Sequence, residues 1–589
     1  MQTHWKIVIL LVGWAAIMSG CQPPEAPPVS LAATDAPIVS PSTTLANLAP
    51  AVTPASEWFR DVTKVTGIDF RHSSGTNSEK PFPAANGSGL AAFDFDLDGR
   101  CDLYFATGTP FPIDPNSKTP FNHCYRNLGQ WRFEDITAKC GLGHAGYSAG
   151  VAVGDYDSDG FPDLFVACYG PDVLYHNCGD GTFQPCDQAG VADARWGGSA
   201  AFFDADNDGL LDLYVCNYAK WTWERRRWCG DNARNIREYC SPHSVEPEDD
   251  ALFRNRGDGQ FDDATAEMGL LRAPARAQGV VAADLDGNGL CDLYVGNDLH
   301  PNFLFLNQGA GKFNDATESS GAAYDYQGRV QAGMGVDAAD INGDGKPELY
   351  VTNFSNEPNT LYDNLGHGVF QDATIQRGLY NDSLPYVGWG TALVDFNLDS
   401  WPDIIVTNGP LRANEPDVNP PLLWQNKGGR FRIVGAEAGD YFRVGHAGRG
   451  LAVADLDNDG DVDVAIGHQD ASPAVLSNQR LTTPSASPCS ITLRLVGTLA
   501  NRDCVGAAIT TTWGEATRLT LVKGGGSYLS AHDLRQVLAV PAGADSVRCD
   551  IQWPGGERSH AEGLRPGASY VIIQPRSSIH PPSVFEVTQ

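Results

Sequence analysis

The chain has 589 residues, enough for about four domains at ~150 residues each. Apolar residues make up 42% and charged residues 19%, which gives material for a core and excludes a disordered chain. Acidic residues number 72 and basic residues 41, so the formal charge of −31 argues against nucleic acid or anionic lipid as the main partner.

In chain order, residues 1–21 come first: a single Lys6, an apolar run from Ile7 to Ile17, then Met18-Ser19-Gly20-Cys21. The run is too short to span a bilayer of ~30 Å as a helix and reads as an export signal. Its end resembles a bacterial lipobox, which implies Cys21 as the lipidated first residue of the mature chain. Cleavage by an ordinary signal peptidase is the other reading. Residues 22–55 are rich in Pro, Ala, Ser and Thr and contain no aromatic residue. They predict an extended tether, at ~3.1 Å per residue reaching on the order of 100 Å. The expected setting is an exported protein at a bacterial outer membrane, cell surface or periplasm, with the membrane touched only through the lipid.

The next signal is repetition. A nine-residue pattern, D-x-[DN]-x-[DN]-G-x-x-[DE], recurs seven times with spacings of 61, 49, 80, 56, 55 and 60 residues. Calcium takes six to eight oxygens at ~2.3–2.6 Å. Side chains at loop positions 1, 3, 5 and 9 and the carbonyl at 7 supply them, and Gly at 6 permits the tight turn. The first loop offers Asp94, Asp96, Asp98 and Asp102 with the carbonyl of Arg100. The second offers Asp155, Asp157, Asp159 and Asp163 with Phe161, and the third Asp204, Asp206, Asp208 and Asp212 with Leu210. The fourth has Asp284, Asp286, Asn288 and Asp292 with Leu290, and the fifth Asp340, Asn342, Asp344 and Glu348 with Lys346. The sixth has Asp395, Asn397, Asp399 and Asp403 with Trp401, and the seventh Asp455, Asp457, Asp459 and Asp463 with the carbonyl of Asp461. Ser400 replaces the glycine in the sixth, which is expected to be the weakest site. Up to seven Ca²⁺, at two charges each, would take the net charge from −31 to −17.

The sequence around the loops repeats as well. A small, Gly-bearing apolar run precedes each loop and an apolar strand such as DLYVCNY follows it. Then come a strand ending in Asn, a Gly turn and a Phe strand. Four strands per unit in radial repetition predict an all-β fold, a seven-bladed β-propeller over residues 56–480. The seventh unit stops at Ala474–Asn478, and Glu57–Ile68 matches its missing strand, so both termini complete one blade and no sheet edge stays free. The metal loops and Gly turns fall on one face. The long insertions, 108–123, 217–250 and 408–421, fall on the other, the usual place for binding.

These repeats resemble VCBS or FG-GAP-like repeats, related in pattern to the integrin α propeller. The insertion CGDNARNIREYCSP, followed by LFRNRGDGQFDDAT, resembles the bacterial relatives of cartilage acidic protein. GTLANRDCVGAAI, VKGGGSYLSAHDLRQVLAV and DIQWPGGE resemble the ASPIC/UnbV domain. Read alone, residues 488–575 alternate as short strands (491–496, 508–513, 518–522, 547–553, 570–573) and predict a small β-sandwich, with 576–589 as a tail. The resemblances imply a calcium-binding, exported, non-catalytic protein.

Fourteen cysteines in an exported chain predict disulfides, with Cys229–Cys240 first and Cys178–Cys186 second. Cys489, Cys504 and Cys549 leave one over, and a zinc site at Cys229, Cys240 and His243 lacks a fourth ligand. Arg256-Gly257-Asp258 follows the repeat consensus and is given no adhesive role. Gly146-Tyr-Ser148-Ala-Gly150 matches a nucleophile elbow but is followed by a strand where a helix is required. Trp221, Trp223 and Trp228 with Arg225–Arg227 either pack the insertion onto the propeller or bind an anionic or sugar ligand; packing is favoured. No catalytic constellation is found. The expected function is a surface binding, adhesion or scaffold module with a protein or glycan ligand on the face opposite the calcium loops. The alternatives are a carbohydrate-binding or carbohydrate-active propeller, whose acid/base residues would converge on the insertion face or axial channel, and a surface-layer component.

Overall fold

The computed structural model describes residues 57–587 apart from 115, 119–120, 412–418, 481–488, 515, 542 and 578–579. The export signal, Cys21 and the 22–55 tether lie outside the described residues.

Seven antiparallel sheets, each with a four-strand core, follow one another along the chain. The first is built from Leu90–Phe93, Asp102–Phe105, His123–Asn127 and Phe133–Asp135, in that order. The seventh joins Gly448–Ala454, Asp463–His468 and Ala474–Asn478 to Phe59–Asp61 from the N-terminal side, with Phe59 paired to Asn478. The first strand of each sheet lies against that of the next, and Leu90–Phe93 lies against Gly448–Ala454, so the first and seventh sheets meet. Second strands such as Asp163–Cys168 and Asp212–Asn217 are buried along their whole length. Each sits mid-sheet with another sheet on both faces, hence an unbroken apolar run instead of alternation. The innermost strands approach closely: a Cβ on Gly150 would collide with the Gly198 carbonyl, so the small first-strand residues are a packing requirement.

A ring of asparagines ties the sheets together. The asparagine at or near the end of each third strand donates from Nδ2 across to the acidic loop of the preceding sheet. Asn177 reaches Phe95 O at 2.8 Å, Asn255 Tyr156 O at 2.7 Å, and Asn307 Ala205 O at 2.9 Å. Asn364 reaches Leu285 O at 2.9 Å, Asn426 Ile341 O at 2.8 Å, and Asn478 Phe396 O at 2.8 Å. Asn127 closes the series on Leu456 O of the seventh loop at 2.7 Å. The sequence had offered this asparagine only as a strand-end mark.

The C-terminal region is a sandwich of two four-stranded sheets. One runs Gln536–Val540, Cys489–Val496, Ser569–Ile573, Ser583–Val587, and the other Ala516–Leu521, Ala508–Trp513, Val547–Gln552, Arg558–Leu564. Ser583–Val587 replaces the expected tail: it pairs antiparallel with Ser569–Ile573.

The sandwich is not set apart from the propeller. Its segment Gly524–Asp533 runs along the propeller axis and hydrogen-bonds the first strand of all seven sheets. Gly524 and Gly525 pair with Ala282 and Val281 in the fourth. Ala531 exchanges bonds with Leu90 and Ala92 in the first, and Leu529 O accepts from Val151 N in the second at 3.1 Å. Leu529 N donates to Ser199 Oγ in the third at 2.9 Å. Ser527 takes Val336 N of the fifth on its carbonyl and Thr391 N of the sixth on its hydroxyl. Asp533 N donates to Val453 O of the seventh. Ser527 and Tyr528 are wholly buried, and Gly525 (φ +69°) takes a left-handed turn beside the Val280 carbonyl. The axis, one of the two places named for acid/base residues in the carbohydrate-active alternative, is occupied by the protein's own segment; the insertion face is the other.

Cys229 and Cys240 form a disulfide with Cα atoms 5.2 Å apart, so neither thiolate is left for zinc. The Cys178–Cys186 pairing is not formed; both are free. The register explains it: Cys178 N bonds Thr182 O in the turn, whereas Cys186 N bonds Leu174 O at the far end of the hairpin. Four rungs at ~3.3 Å separate them by about 13 Å, beyond disulfide reach. Cys504 and Cys549 are free and buried, as are Cys101, Cys124, Cys140, Cys168, Cys216 and Cys291. They serve as small apolar core residues.

Candidate metal centres and the covered face

Each acidic loop is an Asx-turned hairpin fixed by its own backbone. In the first, Asp94 accepts from Asp98 N at 3.1 Å and Gly99 N at 3.0 Å, and Asp98 accepts from Arg100 N at 3.0 Å. The carboxylate at position 9 is anchored from two sides: Asp163 accepts Tyr156 N at 3.1 Å and Asn177 N at 2.8 Å. Asp212, Asp292 and Asp463 repeat this with Ala205 and Asn255, Leu285 and Asn307, and Leu456 and Asn478. Glu348 accepts Ile341 N at 3.0 Å, and Asp403 accepts Asn426 N at 2.8 Å. One hydrogen-bond network therefore holds the loop, the next strand and the inter-sheet clasp.

Donor oxygens converge. Asp94, Asp96 and Asp102 bring carboxylate oxygens within 4.8 Å of one another, as do Asp155, Asp157 and Asp163; Asp204, Asp206 and Asp212; and Asp284, Asp286 and Asp292. Buried oxygens Asp155 Oδ1, Asp206 Oδ1 and Asp403 Oδ2 accept no hydrogen bond. A dry carboxylate oxygen without a donor costs free energy unless a cation meets it, so the donor set fits a hard divalent ion. The amides conform: Asn288 Oδ1 accepts Leu290 N at 2.8 Å, Asn342 Oδ1 Asp344 N at 2.9 Å, and Asn397 Oδ1 Asp399 N at 2.9 Å. These are the orientations that aspartate has elsewhere.

Burial acts on every loop. It pushes the Asp155, Asp204, Asp395 and Asp455 carboxyls up to about 7, with Asp503 adding to the rise at Asp155. It raises Glu348 to about 8, Asp163 to about 9, and Asp102, Asp212, Asp292, Asp403 and Asp463 well above the usual range. Desolvation disfavours the charged form, and a bound cation would restore it.

The sixth loop turns without its glycine. Ser400 adopts φ +72°, the left-handed conformation of Gly99, Gly160 and Gly460, and its N–H still meets Asp395 Oδ2 at 2.6 Å. A side chain there costs about 1 kcal/mol of strain.

Sequence reasoning missed the side chains that overlook the loops from the third strand. Arg126 pairs with Asp96 and Asp98, and His176 faces Asp157 and Asp163. It also missed that the C-terminal sandwich covers this face. Arg535 donates to Gly99 O at 3.0 Å, Gly555 N to Gly289 O at 3.3 Å, Arg518 Nε to Ser400 O at 2.9 Å, and Ser490 Oγ to Gly460 O. In all four loops the acceptor is the position-6 carbonyl, next to the carbonyl assigned to the metal. Asp503 Oδ2 accepts Asp155 N at 2.8 Å, and Arg518 stacks on Trp401 at 3.7 Å.

The FG-GAP-like repeat family matches residues 94–166, 155–215, 243–295, 284–351, 340–406 and 395–466, more than half of the chain. Five of the six matches begin on the first aspartate of a loop. The chain belongs to the FG-GAP-like repeat family. The ASPIC and UnbV family matches residues 497–579, which include the axial segment. Neither family name is enzymatic. Cartilage acidic protein 1 is 26% identical over 317 residues in Mus musculus, 53% of this chain and 47% of the relative. It is 28% identical over 342 residues in Xenopus tropicalis, 55% of this chain and 49% of the relative. This chain thus spans about half the length of the curated relatives it matches. Among solved structures, an Agrocybe aegerita lectin described as recognising non-reducing terminal N-acetylglucosamine aligns at TM-score 0.37 and 17% identity. It covers 66% of this chain and 86% of its own. The BP39L lectin of Burkholderia pseudomallei aligns at TM-score 0.41 and 10% identity, covering 67% and 96%.

On the opposite face the insertions of this repeat protein share one aromatic core. Phe111, Tyr147, Trp196, Tyr218 and Trp221 are buried together, with Leu411 packed against them. Trp223 stacks on Phe111 at 6.1 Å and has the Arg226 guanidinium over its ring at 4.1 Å, so two of the three tryptophans pack. Trp228 is exposed. Ser148 begins the strand Ser148–Gly154 and is buried against Asn122, not presented as a nucleophile. Arg256-Gly257-Asp258 forms the expected turn between third and fourth strands, with Arg256 N bonded to Gln260 O.

Proposed function

We propose that this protein is a calcium-stabilised, non-catalytic binding or scaffold module, exported and held at a bacterial surface or in the periplasm by a lipid on Cys21. The observation that carries the calcium reading is the convergence of carboxylate oxygens in the loops together with buried oxygens that no donor meets. Calcium would be held by the side chains at positions 1, 3, 5 and 9 and the carbonyl at 7. It would neutralise carboxylates whose repulsion otherwise opposes the fold. Because the sandwich covers the metal face and its segment fills the axis, the insertion face is the free scaffold surface. A protein or glycan ligand belongs there, around the exposed Trp228. Export and lipid attachment rest on residues 1–21 alone.

The test is calorimetry on metal-free and calcium-loaded protein. A rise in melting temperature with calcium is expected; an unchanged melting temperature would refute the stabilising role. A glycan array with a polysaccharide-degradation assay separates lectin, enzyme and neither.

A further inference from the structure

In the second loop one nitrogen joins the oxygens. The residue just before the clasp asparagine holds the same register in every sheet, opposite the residue after the fourth-strand aromatic. It is arginine in the first and third sheets, leucine in the fourth, aspartate in the fifth, glutamine in the sixth and serine in the seventh. In the second sheet it is His176.

His176 Nδ1 stands 3.1 Å from Asp157 Oδ2 and 3.4 Å from Asp163 Oδ1. The atom is buried, and neither carboxylate meets it with hydrogen-bond geometry. Asp157, Asp159 and His176 place donor atoms within 4.8 Å of one another, and Asp155, Asp157 and Asp163 do the same. Asp155 is 2% exposed, and its Oδ1 has no hydrogen-bond partner. Its other oxygen is turned to Gly160 N, with Arg502 Nε 3.9 Å away. Two donors held tetrahedrally at ~2.1 Å from one ion stand about 3.4 Å apart, close to both nitrogen–oxygen separations seen here.

We propose that the second loop is a mixed nitrogen–oxygen site selective for a first-row transition cation of the zinc class, not a seventh calcium site. Calcium prefers an all-oxygen shell, whereas imidazole suits zinc and its neighbours. Arginine at the same register in the first and third sheets brings a cation, and the leucine and serine of other sheets bring no comparable ligand. The aspartate and glutamine of the fifth and sixth sheets bring no imidazole either, so among the described residues the second loop alone has a histidine at this register. An ion pair between protonated His176 and Asp157 would produce the same approach without a metal, and the experiment distinguishes the two.

The inference rests on the reading of the loops as cation sites. The full chain, with accessible thiols alkylated, is stripped of metal and equilibrated with Zn²⁺ in about a hundredfold excess of Ca²⁺, then desalted and analysed for both elements. Retention of about one equivalent of Zn²⁺ is expected, falling at least about tenfold in His176→Leu and in His176→Gln while bound Ca²⁺ is unchanged. The Gln variant keeps a polar side chain at the position, so a fold defect in the Leu variant leaves the question answerable. Co²⁺ in place of Zn²⁺ reports a nitrogen-containing shell through its visible absorption, which the variants should lose. Equal Zn²⁺ in wild type and both variants, or complete displacement of Zn²⁺ by Ca²⁺ in wild type, would overturn the proposal. Absence of both metals from every protein would instead sink the calcium reading.

Discussion

Asn307→Ala tests whether the asparagine ring holds neighbouring sheets together. Asn307 is 1% exposed and makes three side-chain hydrogen bonds. Nδ2 donates to Ala205 O at 2.9 Å in the third loop and to Cys291 O at 3.0 Å in its own, and Oδ1 accepts Gly309 N at 2.9 Å. Alanine leaves two buried carbonyls and one amide to find other partners. At about 1 kcal/mol net per bond, and more for a group left dry, the loss is roughly 3–5 kcal/mol. Melting shifts by ~2–4 °C per kcal/mol at 150–250 residues and less for a larger cooperative unit, so a fall of roughly 3–8 °C is expected by calorimetry in saturating calcium. Asn116→Ala, at an exposed loop asparagine bonded among the described residues only to Asp114, is the control and should move melting by less than about 1 °C. If Asn307→Ala melts with the control, the clasp contributes nothing to the joint between sheets, and closure must come from apolar packing alone.

In the folded, metal-free chain Asp155, Asp204, Asp395 and Asp455 sit at about 7, raised from 3.8. The folded state then binds more protons than the unfolded one between those values, so stability falls as pH rises through that window. Metal-free protein should melt higher at pH 5 than at pH 8, and saturating calcium should remove or reverse the order; identical metal-free melting at both would contradict the burial of these carboxyls. Leu529→Asp places a charge on the axis beside Trp389 and Tyr528, with a penalty of several kcal/mol. Limited proteolysis should release the C-terminal sandwich from this variant and not from wild type, and equal resistance would argue against axial anchoring. Ser400→Gly relieves a left-handed serine and should raise stability by about 1 kcal/mol, measured by denaturant titration, with a tighter sixth calcium site. A loss of stability would mean that the hydroxyl has a role its contacts do not reveal.

The acidic loops were legible because their geometry is local: nine residues specify the turn, the converging carboxylates and the anchor. The N-terminal strand was legible because Phe59 carries the same aromatic mark as Phe133 or Phe183, and register follows from that mark. Cys178 and Cys186 misled because proximity in sequence across a turn does not give proximity across a hairpin. Arg126 and His176 were invisible as neighbours of the loops, since nothing in a third-strand position announces which side chain turns toward the carboxylates.

The amino-acid order alone determined the repeat, the acidic loops and the all-β architecture, because each depends on contacts within one unit and is written again in the next. Tertiary structure alone decided that Lys523-Gly-Gly-Gly-Ser-Tyr-Leu-Ser530 threads the axis and that the sandwich covers the face of the acidic loops. Those contacts join residues as distant as Leu90 and Ser530, 440 positions apart. They leave in the sequence a run of glycines and serines with one tyrosine and one leucine, the same signature as an ordinary loop. What selects the axial path is the set of unpaired inner-strand donors and acceptors, which exists only after the seven sheets have come together.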